Sequence, residues 1–269
     1  MKNSSDISIF VYYYKNNIFP VRQSIYRPVM AGNVLQERPN NFTGDDTGDS
    51  ISEKNKYYSE LTGIYWAWKN TSYSIIGSCH YRRFFIKEEP LLYKTARIFY
   101  FFAGMYRNRY GLIYSKRINY FSGNILSESD ILRIMNNYDA IFPIRRILKN
   151  SVKEHYCRHH HAEDLDLMKK IIQKKYPDYL PAFDQTLNSN RLYANNMYIL
   201  KKEDHNRLMT WLFCLLFEFE IRIDKSEYKG YQQRVFGFLS ERLLTTWVLH
   251  NKLRIKELPV IYFKSLKYI

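Results

Sequence analysis

The pattern of hydrophobic residues predicts short buried strands. Runs of β-branched and aromatic residues that are too short for a buried helix are typical of such strands. The first run, ISIFVYYY, begins at Ile7 and is the clearest. The predicted strands are residues 7–14, 74–79, 139–143, 193–200 and 258–263.

Amphipathic segments between these runs predict helices. Leu61, Ile64 and Trp68 have the spacing of one helical face. Ser127 and Asp130 have the spacing of a capping box, so a helix is predicted to begin there. The predicted helices are residues 57–68, 127–137, 152–175, 204–223 and 234–250. The alternation of strands and helices predicts an α/β layered fold with a largely parallel sheet.

The charge balance favours an anionic partner. The chain has 41 Lys and Arg against 26 Asp and Glu, which gives a net charge of +15. Nucleic acid, a phospholipid surface and a sugar diphosphate all fit this charge. Paired-cysteine zinc fingers, a basic leucine zipper and an RNP-type aromatic motif are all absent from the sequence, so nucleic acid is not expected as a partner.

Aromatic residues make up 17% of the chain. Carbohydrate-binding proteins use aromatic faces against sugar rings, so this content fits a saccharide ligand. A compositional bias towards tyrosine, as AT-rich genomes produce, explains the same content equally well.

Cysteine content and hydropathy predict a cytoplasmic protein. The three cysteines are far apart in sequence, which argues against a disulfide framework and fits a reducing compartment. The first residues lack the pattern of a signal peptide. The longest apolar run, residues 211–217, is far shorter than the ~20 residues that span a bilayer. We therefore expect a protein that is not integral to the membrane but can contact its inner face.

Residues 90–127 form a basic, aromatic segment. They include six Lys and Arg, ten aromatic residues and no Asp or Glu. Such a segment can dock peripherally on an anionic membrane, because basic residues are attracted to the leaflet and aromatic rings settle at the headgroups. The alternative is an insertion whose aromatic side chains pack against the main domain while its Lys and Arg stay solvated.

His80, Arg82 and Arg83 follow a predicted strand and form a dense cationic cluster. Ligands of open α/β sheets bind beyond the carboxyl ends of the strands. Arginine pairs bidentately with phosphate oxygens, so this cluster predicts a phosphate site. The alternative is that one arginine pairs with a core carboxylate and the other is solvated.

A second polar cluster lies at residues 158–166, where three consecutive histidines precede Glu163, Asp164 and Asp166. Histidines and carboxylates together suggest a metal, and His160 with Asp164 has helical i, i+4 spacing. No second cluster supplies the remaining ligands, so a helix start with solvated histidines is the better interpretation. Asp164-Leu-Asp166 does not end an apolar strand, and we therefore expect no metal and no other cofactor.

A third cluster consists of Arg234, Glu241 and Arg242 in an otherwise apolar helical segment. Apolar neighbours would raise the pKa of Glu241 towards the range of a general base. An internal Glu–Arg pair that holds the helix in place is an equally good interpretation. The sequence contains neither of the common glycine-rich phosphate loops, no GxSxG and no kinase signature.

Eight blocks of sequence together resemble a known family. They are IYRPVMAG (25–32), SISEKNKYYSELTGIYWAWKN (50–70), IIGSCHYRRFF (75–85), YDAIFP (138–143), KEHYCRHHHAEDLDLM (153–168), YPDYLPAFDQTLNS (176–189), NNMYILKK (195–202) and YQQRVFGFLSERLLTTWV (231–248). The family comprises capsular and exopolysaccharide biosynthesis proteins, long labelled as a domain of unknown function and now regarded as glycosyltransferases. The blocks cover nearly the whole chain, and residues 86–124 are the main unmatched part.

The resemblance implies a GT-A-like nucleotide-sugar-binding fold with added helices, formed by a single domain of residues 1–269 that includes 86–124 as an insertion or subregion. It also implies transfer of a sugar, with galactose or galactofuranose expected, from a UDP-sugar. The expected acceptor is a growing, lipid-linked capsular or surface polysaccharide. Inverting or retaining stereochemistry is left open.

The resemblance further assigns roles to residues. The HYRR block stands where metal-dependent relatives carry Asp-x-Asp, so His80, Arg82 and Arg83 are expected to offset the diphosphate charge. Tyr14 stands where the family often has a histidine. The full expected donor-binding set is Tyr14, Asn55, His80, Arg82, Arg83, Arg234 and Arg242.

Acceptor and catalytic roles follow in the same way. Asn195 and Asn196 are expected on the acceptor side. Glu241 is the first candidate for a general base, followed by Asp164 or Asp139.

Two other functions remain open from the sequence. A nucleic-acid-binding protein would bind DNA or RNA tightly and in a salt-sensitive manner, without binding UDP. A non-catalytic scaffold of polysaccharide assembly would fold and bind lipid or protein partners without turnover.

Overall fold

A computed structural model of the chain describes residues 6–91, 94–95, 98 and 112–266. The strands are β1 Ile7–Tyr13, β2 Tyr26–Met30, β3 Thr43–Gly44, β4 Ile75–His80, β5 Arg83–Phe85, β6 Leu112–Ser115, β7 Ala140–Pro143, β8 Arg146–Ile147, β9 Arg191–Leu192, β10 Tyr198–Lys201, β11 Ile255–Leu258 and β12 Val260–Phe263. The helices are α1 Asn55–Tyr58, α2 Leu61–Asn70, α3 Ile118–Ser122, α4 Glu128–Met135, α5 Val152–His159, α6 Glu163–Lys175, α7 Leu180–Asn188, α8 Lys202–Glu220 and α9 Val235–Asn251.

The central sheet has the strand order β11-β7-β10-β4-β1-β2-β3. Strands β3, β2, β1 and β4 are mutually parallel, and β11 is parallel to β7. Strand β10 runs antiparallel between β4 and β7. The predicted α/β fold with a mostly parallel sheet is thus confirmed, and β10 marks where the parallel run is interrupted.

Two hydrophobic clusters cover the two faces of this sheet. Successive side chains of a strand point to opposite faces. Accordingly, Phe10 and Tyr12 of β1 belong to the cluster formed with α2, α8 and α9, while Ile9 and Val11 belong to the other cluster. Every residue of β1 is buried, as expected for a central strand of a two-sided sheet.

The predicted helix 57–68 is interrupted. Helices α1 and α2 are separated by Ser59, whose φ of 52° is unusual for a residue other than glycine, and by Glu60. The side-chain amide of Asn55 donates to the Ser59 carbonyl at 2.7 Å and so satisfies a group that the interruption leaves open. The break directs Ser59 and Glu60 towards the carboxyl edge of the sheet, where they line a cavity.

The predicted helix 152–175 is also two helices. Helix α5 ends at His159 because His160 adopts an extended backbone (φ −142°, ψ 177°). The side chain of Gln232 holds this turn, since it contacts His160 Nδ1 at 2.9 Å and donates to the His159 carbonyl at 2.7 Å. The capping boxes at Ser127 and Ser151 explain the sharp starts of α4 and α5, and the first of these was predicted.

The predicted strand 193–200 is wrong in its first half. Strand β10 begins at Tyr198, and Asn195 and Asn196 adopt left-handed backbone conformations with φ of 74° and 48°. Asparagine tolerates this region better than most residues, because its short side chain can bond locally. The Asn-Asn pair is therefore a turn at the end of the sheet.

The predicted strand 258–263 contains a change of partner at Pro259. Strand β11 pairs with β7, whereas β12 pairs with β5 and β6. Proline has no backbone N–H to donate, so a regular ladder is not continued through it. The chain thereby moves from one edge of the sheet to the short strand β5, which follows the HYRR block.

Part of the 86–124 subregion packs into the molecule. Strand β6 pairs with β12, and Ile113, Ile118 and Phe121 are buried in the core. Lys116, Arg117 and Tyr120 are exposed. These residues fit the interpretation of packed apolar groups with solvated cations. Residues 92–93, 96–97 and 99–111, which carry much of the predicted membrane-docking segment, lie outside the described residues, so docking stays a prediction.

Within the described part of the chain, no helix is both long enough and apolar enough to cross a membrane.

Candidate functional site

A cavity of about 450 Å³ opens at the carboxyl ends of β1 and β4. This is the position at which parallel α/β sheets bind ligands. The described residues that line it come from β1, the end of β2, the α1–α2 break, the HYRR block, the start of α9 and β12. They are Tyr12, Tyr13, Tyr14, Ala31, Asn55, Lys56, Ser59, Glu60, His80, Tyr81, Arg82, Arg83, Arg234 and Tyr262.

A tight backbone contact shapes the floor of the cavity. Gly32 follows β2 with φ of 72°, and a Cβ at this position would lie 2.5 Å from the Asn55 side chain. Only glycine combines this conformation with that approach. Gly32 therefore allows the chain to pass close to Asn55, which lines the cavity, while donor binding by Asn55 stays a prediction.

Arg82 and Arg83 provide positive charge at one wall. The Arg82 guanidinium lies 4.9 Å from the ring centre of Tyr81 and 5.0 Å from that of Tyr262, and Arg83 lies 5.2 Å from Tyr262. The Nε atoms of both arginines are buried and have no hydrogen-bond partner among the described residues. Both side chains line the cavity, so their positive charge faces the space in which a ligand would lie.

Glu60 is the acidic residue among the described residues that line the cavity. Its carboxylate accepts a hydrogen bond from the Asn196 side-chain amide at 2.9 Å and pairs with Arg234 at 3.4 Å. Burial alone would raise its pKa, but His80, Arg234 and the Asn196 bond outweigh burial and lower the pKa of Glu60. A carboxylate ionised at neutral pH thus faces the cavity.

His80 lies beside Glu60, with 4.0 Å between its Nε2 and a Glu60 oxygen. Burial lowers the pKa of His80 to about 4, although Glu60 opposes the shift. The imidazole is therefore neutral at pH 7, and it contacts the Asn195 carbonyl at 2.5 Å through Nε2. The cationic part of the predicted phosphate site consequently rests on Arg82 and Arg83, while His80 acts as a hydrogen-bonding group.

Asn195 connects this cavity to Glu241. The backbone N–H of Asn195 donates to one carboxylate oxygen of Glu241 at 2.6 Å. The other carboxylate oxygen of Glu241 pairs with Arg242 at 3.1 Å. Arg242 is buried, donates to the Phe238 carbonyl at 2.9 Å and stacks on Tyr156. Glu241 and Arg242 are not among the cavity-lining residues, so the internal Glu–Arg pair that the sequence allowed is present in the structure.

Asn196 lies in the same network. Its carbonyl accepts from the Ser78 hydroxyl at 2.7 Å, and its side-chain oxygen accepts from Ser240 at 2.8 Å. The structure therefore brings together Asn55, His80, Asn195 and Asn196 around Glu60. Tyr14 is 55% exposed at the rim, where its hydroxyl is 3.1 Å from that of Tyr81.

Comparison with protein-family models decides the affiliation of this chain. Residues 8–252 match the model described as a domain of unknown function, DUF4422. The chain belongs to the DUF4422 family.

A solved glycosyltransferase structure is similar to this chain. The DUF4422 chain is similar to the WbbM bifunctional glycosyltransferase in its apo form, with 27% sequence identity and a TM-score of 0.82. The alignment covers 97% of this chain and 46% of WbbM, so the chain spans about half the length of that protein. Comparison with curated protein sequences gives no significant match. The expected family and the glycosyltransferase type of fold are thereby confirmed.

Several cavity residues of this DUF4422 protein were not predicted. Glu60, Ser59, Lys56 and Tyr262 line the cavity, yet the sequence analysis assigned none of them a role. Lys56, Ser59 and Glu60 lie inside the block SEKNKYYSELTG. The available signal was the polar pair Ser59-Glu60 within a segment whose hydrophobic pattern predicts a helix. Tyr262 comes from a distant strand and carried no signal of its own.

Asp164 lies apart from the cavity of the DUF4422 domain. It is buried, and its carboxylate accepts hydrogen bonds from Tyr156, at 2.7 Å, and from Tyr228. Burial raises its pKa despite these bonds. Asp139, the other alternative base, is paired with Arg254, whose hydrogen bonds lower its pKa to about 2. Neither carboxylate is among the residues that line the cavity.

We expect Asp164→Ala to destabilise the fold by about 2–4 kcal/mol, because two buried tyrosine hydroxyls lose their acceptor. Urea denaturation followed by circular dichroism measures this. Asp166→Ala is the control, since Asp166 is exposed on the same helix and should change stability by less than about 0.5 kcal/mol. Equal stabilities of the two variants would contradict the assignment of a structural role to Asp164.

Among the described residues, no group of three or more His, Cys, Asp or Glu side chains is arranged as metal ligands. His160 instead stacks on Phe238, with ring centres 4.0 Å apart. Metal independence stays a prediction: we expect turnover to persist in excess EDTA. Loss of turnover on chelation that is restored by manganese would contradict it and would direct attention to Asp164 and Asp166.

Proposed function

We propose that this protein is a glycosyltransferase that moves a sugar from a UDP-sugar to a lipid-linked saccharide during capsular or surface polysaccharide synthesis. Galactose or galactofuranose is the proposed sugar. One observation carries the proposal: the cavity at the carboxyl edge of the sheet combines the positive charge of Arg82 and Arg83 with an ionised carboxylate. The likeness to WbbM over nearly the whole chain supports it.

The arginine wall suits a diphosphate. A nucleotide diphosphate would place its negative oxygens against the guanidinium groups of Arg82 and Arg83, because both side chains line the cavity. The cation–aromatic stacks on Tyr81 and Tyr262 hold both guanidinium groups in place before any ligand arrives. A volume of about 450 Å³ lies within the range of small-molecule sites.

The reacting sugar is proposed to lie at Glu60. In the proposed reaction, an acceptor hydroxyl oxygen bonds to the anomeric carbon while the bond from that carbon to the diphosphate oxygen breaks. UDP leaves with the electron pair, and the arginines neutralise its charge. The acceptor proton passes to a carboxylate, and we propose Glu60 for this role in an inverting transfer because it faces the cavity. The earlier candidate, Glu241, is kept as a rival that mutation can test.

A lipid-linked acceptor would require the enzyme to reach a membrane surface. We propose peripheral contact with the anionic inner face of the plasma membrane. Basic and aromatic side chains favour the headgroup region, and the exposed Lys116, Arg117 and Tyr120 are as compatible with such contact as with simple solvation.

Titration of the intact protein with UDP tests the donor assignment. We expect binding that saturates with one UDP per chain and that excess nucleic acid does not abolish. Tight, salt-sensitive binding of DNA or RNA without UDP binding would contradict the proposal and support the nucleic-acid alternative.

A further inference from the structure

Three aromatic rings, one exposed and two partly buried, form a shelf beside the cavity. This aromatic shelf consists of Tyr231, Phe238 and His160. The ring centres of Tyr231 and Phe238 are 5.0 Å apart, and Phe238 stacks on His160 at 4.0 Å with 25° between the ring planes. Tyr231 is 64% exposed and therefore gains little from burial in the core.

The shelf is continuous with the cavity. Arg234 lines the cavity and pairs with Glu60, and its guanidinium lies 5.7 Å from the ring centre of Tyr231. A second connection runs through Asn195, whose carbonyl contacts His80 and whose amide donates to Glu241. A ligand on the shelf therefore lies next to the position where the cavity chemistry takes place.

Hydrogen bonds hold the chain segments that carry the shelf. Gln232 joins its two halves, since it contacts the His160 ring at 2.9 Å and the His159 carbonyl at 2.7 Å. The Arg242 guanidinium donates to the Phe238 carbonyl from within the core. Preorganised aromatic faces lose little conformational entropy when they bind a ligand.

Polar groups border the shelf without making it strongly charged. Glu241 follows Phe238 by one helical turn on α9 and remains 22% exposed, with its charge matched by Arg242. Burial, together with the Arg242 charge, lowers the pKa of His160 and of His155 to about 4, so both rings are neutral at pH 7. This contrasts with the arginine wall, which suits an anion.

We propose that the aromatic shelf binds the saccharide acceptor, with an uncharged sugar ring stacked on the exposed Tyr231 and its edge against Phe238, whose ring plane is tilted by 44° from that of Tyr231. Flat aromatic faces bordered by a few fixed polar groups suit the apolar C–H face and polar edge of a pyranose. The position next to Arg234 directs a hydroxyl of that ring towards Glu60. This inference rests on the proposed function, because an acceptor site has meaning only beside a donor site.

Saturation-transfer NMR tests this with methyl β-D-galactopyranoside and methyl β-D-glucopyranoside as probes, on the intact protein saturated with UDP. We expect transfer to the ring protons of at least one probe in the parent. Tyr231→Ala, and more strongly Tyr231→Ala/Phe238→Ala, should reduce it by about three- to tenfold through loss of the aromatic contacts. Tyr120→Ala is the matched control, because Tyr120 is 55% exposed and lies outside the cavity.

The outcomes separate the acceptor inference from the donor assignment. Transfer to UDP protons in the same spectra reports the donor site and the fold of each variant. Absence of UDP transfer in the parent would overturn the proposed function. UDP transfer with no transfer to either sugar, or sugar transfer that survives both shelf variants, would overturn the shelf alone. Because Tyr231 is largely exposed, the single variant is expected to fold even where Phe238→Ala does not.

Discussion

Replacing both Arg82 and Arg83 with alanine is expected to weaken UDP binding by about 3 kcal/mol or more, roughly 150-fold in Kd. Each guanidinium is held against Tyr262, and both side chains line the cavity. A diphosphate would form charge-assisted hydrogen bonds with both guanidinium groups, and alanine removes both. Isothermal titration with UDP measures the loss.

The control must remove the same charge from another part of the surface. Arg133 and Arg207 are exposed, each pairs with an aspartate three residues before it, and neither lines the cavity. Arg133→Ala/Arg207→Ala therefore lowers the net charge equally and should leave UDP affinity within about twofold, as expected for surface charges of small effect. Equal affinities of the two double variants would contradict the arginine wall as the diphosphate site.

Replacing Glu60 with glutamine is expected to lower kcat by about 100- to 1,000-fold while UDP affinity changes little. Glutamine keeps the size of the side chain and an oxygen that accepts the Asn196 bond, but it cannot take a proton. Single-turnover measurement of UDP release separates this loss from a change in donor binding. Wild-type kcat in the Glu60→Gln variant would contradict the role of Glu60.

The matched comparison is Glu241→Gln. Glu241 holds the Asn195 amide and Arg242 but does not line the cavity, so we expect a lower melting temperature and a smaller loss of kcat than for Glu60→Gln. The reverse order would support the sequence-based assignment of Glu241 as the base.

The pH profile gives an independent check. Because the pKa of Glu60 is lowered, its carboxylate stays ionised from neutral pH down to the ordinary pKa range of glutamate. We therefore expect kcat to stay constant over that range and to fall only below it. Because the pKa of His80 is lowered to about 4, His80 stays neutral at mildly acidic pH and should not raise kcat there.

Local patterns were sufficient to predict much of the fold. The apolar run at the start identified the central strand β1, and the Ser127–Asp130 spacing identified the start of α4. These features depend on residues close together in sequence. Strand β2 was missed because Arg27 and Pro28 interrupt its apolar pattern, although both are tolerated within the strand.

The breaks that build the cavity could not be predicted in this way. Ser59 and Asn195 adopt left-handed conformations because partners from distant segments hold them: Arg234 donates to the Ser59 side chain, and Glu241 accepts from the Asn195 amide. A helical or strand pattern continues through both positions. Tertiary contacts decide their backbone, and the sequence alone does not reveal those contacts.

Only part of the candidate site could be predicted, because some of its residues reach the cavity through contacts between distant segments. His80, Arg82 and Arg83 are contiguous and follow a strand, so their position at the carboxyl edge could be predicted from one segment. Glu60 reaches the cavity only through the α1–α2 break, and Tyr262 only through the change of sheet partner at Pro259. The family resemblance placed Glu241 near the site, but its ion pair with Arg242 depends on the packing around α9.

The most direct test of the central claim is a transfer assay across a panel of nucleotide sugars, with membrane-extracted lipid-linked saccharides as acceptor. UDP release and the mass of the extended lipid-linked product are measured together. The account predicts UDP release with a UDP-hexose, a product heavier by one hexose, and loss of both in the Arg82→Ala/Arg83→Ala variant. A folded protein that binds the lipid-linked acceptor but neither binds UDP nor extends the acceptor with any donor would contradict it and would identify a non-catalytic scaffold.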